Sequence, residues 1–254
     1  MLKIGVPISY SKTQYFINQA YIQYVADSGF YPVLIVPEVP IGISINTIDG
    51  LLLPGGIDVD PIFYGEDNIS SFGSDPVKDD FERKLFHAAV SRKKPVFGIC
   101  RGFQLIIKEF LLSNKKLNEA LYFCNHIVDH NQVDNQQLSR NIHQHFVECF
   151  PRILYSGQGD AGNRINIPVN SMHHQCLIAD IKKRNMLEAN GFKMAAWTQR
   201  GLKLNKNKDI VEVVCEAFKI ETLDGPILAV QWHPEELLDK ALIQNFFHTK
   251  NEEN

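Results

Sequence analysis

The sequence predicts an α/β fold: a central, mostly parallel sheet with helices on both faces and a small antiparallel addition. Three observations carry this. Short apolar or β-branched runs recur along the chain, among them Lys3 to Val6, Pro32 to Val36, Gly50 to Leu53, Pro95 to Ile99 and Ile227 to Gln231. Stretches with apolar residues at helical spacing stand between several of these runs. The chain, 254 residues with 44% hydrophobic and 22% charged, is long enough to cover both faces of one sheet. It shows no internal repeat and no long linker, so residues 1–254 read as a single domain.

Each element follows from its residues in turn. Lys3 to Val6 is a first strand. A helix is expected from about Gln14 to Ser28, with Ile17, Tyr21 and Tyr24 on one face and Gly29 as its stop. Pro32 to Val36 is a second strand. Gly50 to Leu53 is a third, ended by Pro54-Gly55-Gly56. Asp75-Pro76 opens a helix that turns Phe81, Leu85, Ala88 and Ala89 inward. Pro95 to Ile99 is a fourth strand, followed by a helix from Arg101 to about Leu112. Val211 to Ile220 reads as a strand of an antiparallel set, and Ile227 to Gln231 as another buried strand. A last helix is expected to bury Leu238, Ala241, Leu242 and Phe246. The stretch from Ser113 to Ser171, rich in Asn, Gln and His, offers no regular pattern.

Composition excludes several classes of function. The 26 basic and 29 acidic residues are interspersed and sum to −3, without the basic stripe of a nucleic-acid binder. Lys203 to Lys208 reads as a solvated loop. The five cysteines, Cys100, Cys124, Cys149, Cys176 and Cys215, are odd in number and scattered, with no Cys-x-x-Cys pair. That argues against a disulfide framework and a zinc ribbon. Four of them read as small buried hydrophobes or loop thiols. No apolar run reaches the length of a membrane span, and the start of the chain enters a strand with no leader pattern, so the expected compartment is the cytoplasm.

The chemistry concentrates at two strand ends. In Gly98-Ile99-Cys100-Arg101-Gly102 a strand breaks into a helix at a cysteine flanked at two residues' distance by glycines. This is the pattern of a nucleophile elbow, where side chains two before and two after the nucleophile would strike neighbouring backbone. The thiol would emerge at the carboxyl edge of the sheet, with the following helix dipole favouring thiolate. Gln231-Trp232-His233-Pro234-Glu235 ends another apolar strand. His233 is placed to move the thiol proton to a leaving amine, and Glu235 to hold the imidazole tautomer. Gly55 and Gly56 end a third strand. The N–H groups of Gly56 (or Gly55) and Arg101 are the candidate oxyanion hole, in which losing one donor commonly costs ~3 kcal/mol of barrier.

With Leu53-Pro54-Gly55-Gly56-Ile57-Asp58-Val59-Asp60-Pro61, Tyr64-Gly65-Glu66 and Val169-Asn170-Ser171-Met172-His173-His174-Gln175, these motifs resemble the class I glutamine amidotransferase-like superfamily of flavodoxin-like fold. Within it they resemble the C26-type γ-glutamyl hydrolase branch, near the γ-glutamyl-γ-aminobutyrate hydrolases, from Ile4 to about Phe247. The resemblance implies a Cys100–His233–Glu235 triad that attacks a γ-glutamyl amide, releases the amine and hydrolyses a glutamyl thioester without a cofactor. The alternatives are a glutaminase subunit of a two-chain amidotransferase, or a non-catalytic binding protein on the same fold.

The substrate-binding candidates are Gly55, Gln104, Asn170, Ser171, His173 and His174. Arg101 either pairs with a substrate carboxylate or lies on the surface of the elbow helix. Gln104 either meets the glutamyl headgroup or is a surface amide. His173 or His174 is expected to line the pocket. Neither that pair nor His126, His130, His143 and His145 matches a metal motif. The chain departs from the family at Leu111 to Asn118, where a Gly-Gly turn is usual, and at Lys78-Asp79, where Arg-Asp is usual. Residues 113–145 are therefore expected to bear on specificity and on oligomer contacts, a homodimer included.

Overall fold

The computed structural model describes residues 1–60, 73, 75–124, 139–155, 163–199, 212–221 and 225–248. Tyr64-Gly65-Glu66, His126, His130 and the run Lys203 to Lys208 lie outside the described residues. In chain order the elements are β1 (Lys3–Pro7), β2 (Ser9–Tyr10), β3 (Tyr15–Phe16), α1 (Gln19–Asp27), β4 (Tyr31–Ile35), α2 (Ile41–Asn46), β5 (Gly50–Leu53), α3 (Pro76–Ser91), β6 (Val96–Ile99) and α4 (Arg101–Ser113). The second half runs β7 (Leu121–Cys124), β8 (His145–Cys149), α5 (Pro151–Leu154), β9 (Ile165–Val169), β10 (Cys176–Asp180), α6 (Arg184–Ala189), β11 (Phe192–Thr198), β12 (Glu212–Ile220), β13 (Ile227–Val230), α7 (Pro234–Leu237) and α8 (Lys240–His248).

Five strands form a parallel array in the order β4-β1-β5-β6-β13. β5, β6 and β13 are buried throughout, which is why they read as unbroken apolar runs. The pleat sorts their side chains: Leu51, Leu53 and Val96 enter one hydrophobic cluster with Leu85, Phe86 and Phe103. Leu52, Phe97 and Ile99 enter a second with Tyr21, Val25 and Phe246. Helices thus cover both faces, as expected.

The antiparallel part is larger than the sequence suggests. β12 pairs with β13 and carries β11, β8 and β9 on one path and β10 with β7 on another. Three of these strands, β7, β8 and β9, come from the stretch whose sequence pattern is least regular.

Caps set the helix limits. Asp75 accepts from the N–H of Lys78, with Pro76 at the first helical position. α1 begins later than its apolar spacing implies, because Asn18 accepts from the N–H of Ala20 and so caps it. Gly29, at φ +86°, ends it. The last helix differs from expectation. Leu238 stands outside it at φ +56° and is 59% exposed, and Leu242, Ile243, Phe246 and Phe247 form the buried face.

Candidate active site

β5, β6 and β13 are adjacent and parallel, so whatever follows each of them meets at one edge. Gly55 and Gly56 follow β5, Cys100 follows β6 and His233 follows β13. Three distant stretches of sequence are joined there by the order of the strands alone.

Cys100 occupies the elbow at φ +50°, ψ −100°, a conformation a non-glycine residue holds only where its surroundings impose it. Its N–H donates to the carbonyl of Val230 at 2.8 Å, and its carbonyl accepts the first helical bond, from Gln104, at 3.1 Å. The two glycines are required. A Cβ on Gly102 would sit 2.3 Å from the carbonyl oxygen of Leu53, and one on Gly98 would sit 2.9 Å from the backbone of Gly102. The sulfur thus lies at the N-terminus of the thirteen-residue α4. Gln231 donates to it from beneath, Nε2 to Sγ 3.7 Å.

His233 is buried beside Cys100: a Cβ on Gly55 would lie 2.9 Å from His233 Cε1 and 3.4 Å from Cys100 Cβ. Its Nδ1 lies 2.6 Å from Oε1 of the buried Glu235. Pro234 opens α7 shortly after β13, and this short helix turns Glu235 back toward the imidazole. Burial alone would depress the imidazolium, but Glu235 and the neighbouring thiolate outweigh it, and His233 is raised to about 10. Burial pushes up the thiols of Cys149, to about 11, and of Cys215.

The remaining predicted site residues separate into two groups. Gly55, Gly56, Gln104, His173 and His174 line the cleft over Cys100, whose volume is about 400 Å³. Gln104 is not a surface amide: it is 1% exposed, and its Oε1 has no hydrogen-bond partner among the described residues. His174 pairs with Asp58 at 2.8 Å, and His173 packs between the carbonyl of Gln175 and the buried Glu216.

Three assignments need correction. Arg101 neither reaches the cleft nor lies on the helix surface: its guanidinium is buried in ion pairs with Asp79 and Glu82 of α3, which draw it beneath the elbow. Asn170 does not face substrate. Its side-chain amide clamps the backbone of His233, accepting from the His233 N–H at 2.9 Å and donating to its carbonyl at 3.1 Å, with a second bond to the carbonyl of Arg140. Ser171 is fully buried, and Met172 takes the cleft position beside it. Gly55 is committed too, since its N–H donates to Tyr21 Oη at 3.0 Å. That leaves the N–H of Gly56, with that of Arg101 at the first helical position, as the candidate hole.

Sequence reasoning misses Tyr21 and Arg140 as site residues. Tyr21 reads as part of the core face of α1; its hydroxyl takes the Gly55 N–H, reaches Glu235 and lies 3.5 Å from His233 Nδ1. Arg140 lines the cleft beside His233, held by Glu236 at 2.6 Å. Nothing in its local sequence marks it. Among the described residues no group of three or more His, Cys, Asp or Glu is placed to hold a metal.

The pattern of the peptidase C26 family matches residues 7–235. The chain belongs to the peptidase C26 family. A Lactococcus lactis family relative, the glutamine amidotransferase-like protein YvdE, is 29% identical over 94% of this chain and 91% of its own length. The γ-glutamyl-γ-aminobutyrate hydrolase PuuD of Escherichia coli is 29% identical over 74% of this chain and 64% of its own. Among solved structures, the glutaminase domain of Trypanosoma brucei CTPS with bound acivicin superposes with a TM-score of 0.56 at 15% identity, covering all of this chain and 95% of that one. A GMP synthase subunit from Thermoplasma acidophilum gives the same score and identity over 98% of its chain. At that identity the likeness is one of fold, and it is the glutamine amidotransferase fold. Among the described residues no helix is long and apolar enough to cross a membrane.

Proposed function

We propose that this chain is a cysteine hydrolase of γ-glutamyl amides, with Cys100 as nucleophile, His233 as general acid and base, and Glu235 as the residue that orients and charges the imidazole. The observation that carries the reading is that Cys100 and His233 line one open cleft side by side, with Glu235 bonded to the far nitrogen of the imidazole. The thiolate adds to the γ-carbonyl carbon. The N–H groups of Gly56 and Arg101 receive the oxyanion. The imidazolium, raised to about 10 and so protonated at neutral pH, gives its proton to the departing amine. His233, now neutral, takes a proton from water as it attacks the glutamyl thioester. Collapse frees glutamate and restores the thiolate–imidazolium pair.

The cleft suits a glutamyl headgroup. Asp58 with His174, and the buried amide of Gln104, line it and offer an anion and polar partners to an α-ammonium and α-carboxylate. Arg140 and Asn18 stand on the His233 side, where a leaving amine must lie to accept its proton. Relatives named γ-glutamyl-γ-aminobutyrate hydrolase support the same reading.

The test is the purified chain incubated with a panel of γ-glutamyl amides and with free glutamine, with released glutamate measured. The proposal expects release from at least one γ-glutamyl amide by the chain alone and its loss, by orders of magnitude, in Cys100→Ser. Turnover of glutamine only, and only with a partner protein added, would assign the chain to a two-chain amidotransferase instead.

A further inference from the structure

Beneath the cleft lies a cluster of buried charges that the reaction as described does not use. Lys78 and Arg101 supply two cations, Asp79 and Glu82 two anions, and none is more than 5% exposed. Arg101 bridges both carboxylates, and Lys78 Nζ lies 3.7 Å from Glu82 and 2.8 Å from Ser9 Oγ. The cluster touches both elements of the candidate hole. Arg101 itself supplies one donor. A Cβ on Gly56, the other donor, would lie 3.2 Å from Lys78 Nζ and 3.5 Å from Arg101 Cδ. Asp79 also accepts from the N–H of Asp60 at 2.8 Å, which fastens the loop after β5 to α3.

We propose that Lys78 is a positioning residue for the oxyanion hole: its ammonium, packed behind Gly56, balances the buried carboxylates of Asp79 and Glu82 and keeps the β5 loop seated against the elbow. The inference rests on the γ-glutamyl hydrolase reading. With Lys78 the cluster is neutral. Without it a buried negative charge stands directly behind the place where an oxyanion must form, and the Gly56 backbone loses the group it packs on. Ground-state binding of substrate makes no demand on that charge, so the loss belongs to the chemical step.

The experiment compares Lys78→Met, Lys78→Arg and Ser9→Ala with the unsubstituted chain in two assays. One is release of p-nitroaniline from γ-glutamyl p-nitroanilide. The other is alkylation of Cys100 by iodoacetamide, which needs the thiolate and builds no oxyanion. Lys78→Met is expected to lower kcat about 10- to 100-fold, part of the 10²–10³ that follows loss of a hole donor, with KM within about twofold and alkylation slowed at most about threefold. Lys78→Arg, which keeps the charge, restores kcat. Ser9→Ala, which removes only the hydroxyl partner of Lys78, gives a smaller loss in the same direction and serves if Lys78→Met fails to fold. An unchanged kcat in Lys78→Met, or in Ser9→Ala where it stands in, overturns the inference. So does a fall in alkylation that parallels kcat, or failure of arginine to restore activity. Where the unsubstituted chain releases no p-nitroaniline, the γ-glutamyl amide of the panel that it does cleave replaces it; cleavage of none would remove the γ-glutamyl reading and this inference with it.

Discussion

Replacing Glu235 by Gln tests the electrostatics of the site directly. The carboxylate lies 2.6 Å from His233 Nδ1, and both groups are buried. At an effective dielectric of about 20, opposite charges whose centres are ~4 Å apart attract by about 4 kcal/mol, or roughly three pK units. The imidazolium of His233, raised to about 10 in the intact site, should then titrate near ~7 in Glu235→Gln, because the amide keeps the hydrogen bond but not the charge. The sign is fixed: removing an anion destabilises the protonated ring, which in turn withdraws support from the thiolate. Titration of the His233 ring by NMR reads the first effect. Iodoacetamide alkylation of Cys100 at pH 7, expected to slow about tenfold or more, reads the second. A His233 ring that still titrates near 10, with unchanged alkylation, would refute the argument that Glu235 sets the charge of the pair.

Three further substitutions probe other supports of the site. Tyr21→Phe removes the acceptor of the buried Gly55 N–H and a partner of Glu235; it should cost about 1–3 kcal/mol in denaturant stability and lower kcat more than it raises KM. Gly102→Ala places a methyl 2.3 Å from the Leu53 carbonyl oxygen, a contact only backbone movement relieves, and should destabilise by about 3 kcal/mol or more in chemical unfolding. Arg140→Ala frees Glu236 at the cleft mouth and should raise KM for γ-glutamyl amines that bear a carboxylate about tenfold more than for those that bear an ammonium, in a substrate panel at fixed pH.

The parts of the fold legible in the sequence are those where local pattern and long-range packing demand the same residues. β5, β6 and β13 are buried on both faces, so they had to be continuous apolar runs. The elbow is legible because Gly98 and Gly102 have no alternative with a side chain. β8 and β9 are not: β8 buries His145 and exposes Phe146, which inverts the usual alternation, and β9 is exposed at most positions and carries Pro168. Contacts made by tertiary folding are hidden in the same way. Tyr21 meets His233 across 212 residues of chain, and Asn170 clamps it across 63. Arg101 reads as a group facing substrate or solvent, because nothing in its own helix reveals that Asp79 and Glu82 lie beneath it.

The central step of the proposed reaction is covalent attack by the sulfur of Cys100 on a γ-glutamyl carbonyl. Acid quenching of a γ-glutamyl p-nitroanilide turnover, followed by peptide mass mapping, reads this directly. The predicted result is a glutamyl thioester on the Cys100 peptide and on no other cysteine, absent from Cys100→Ala. Release of amine with no adduct at Cys100, or an adduct on a different residue, would contradict it.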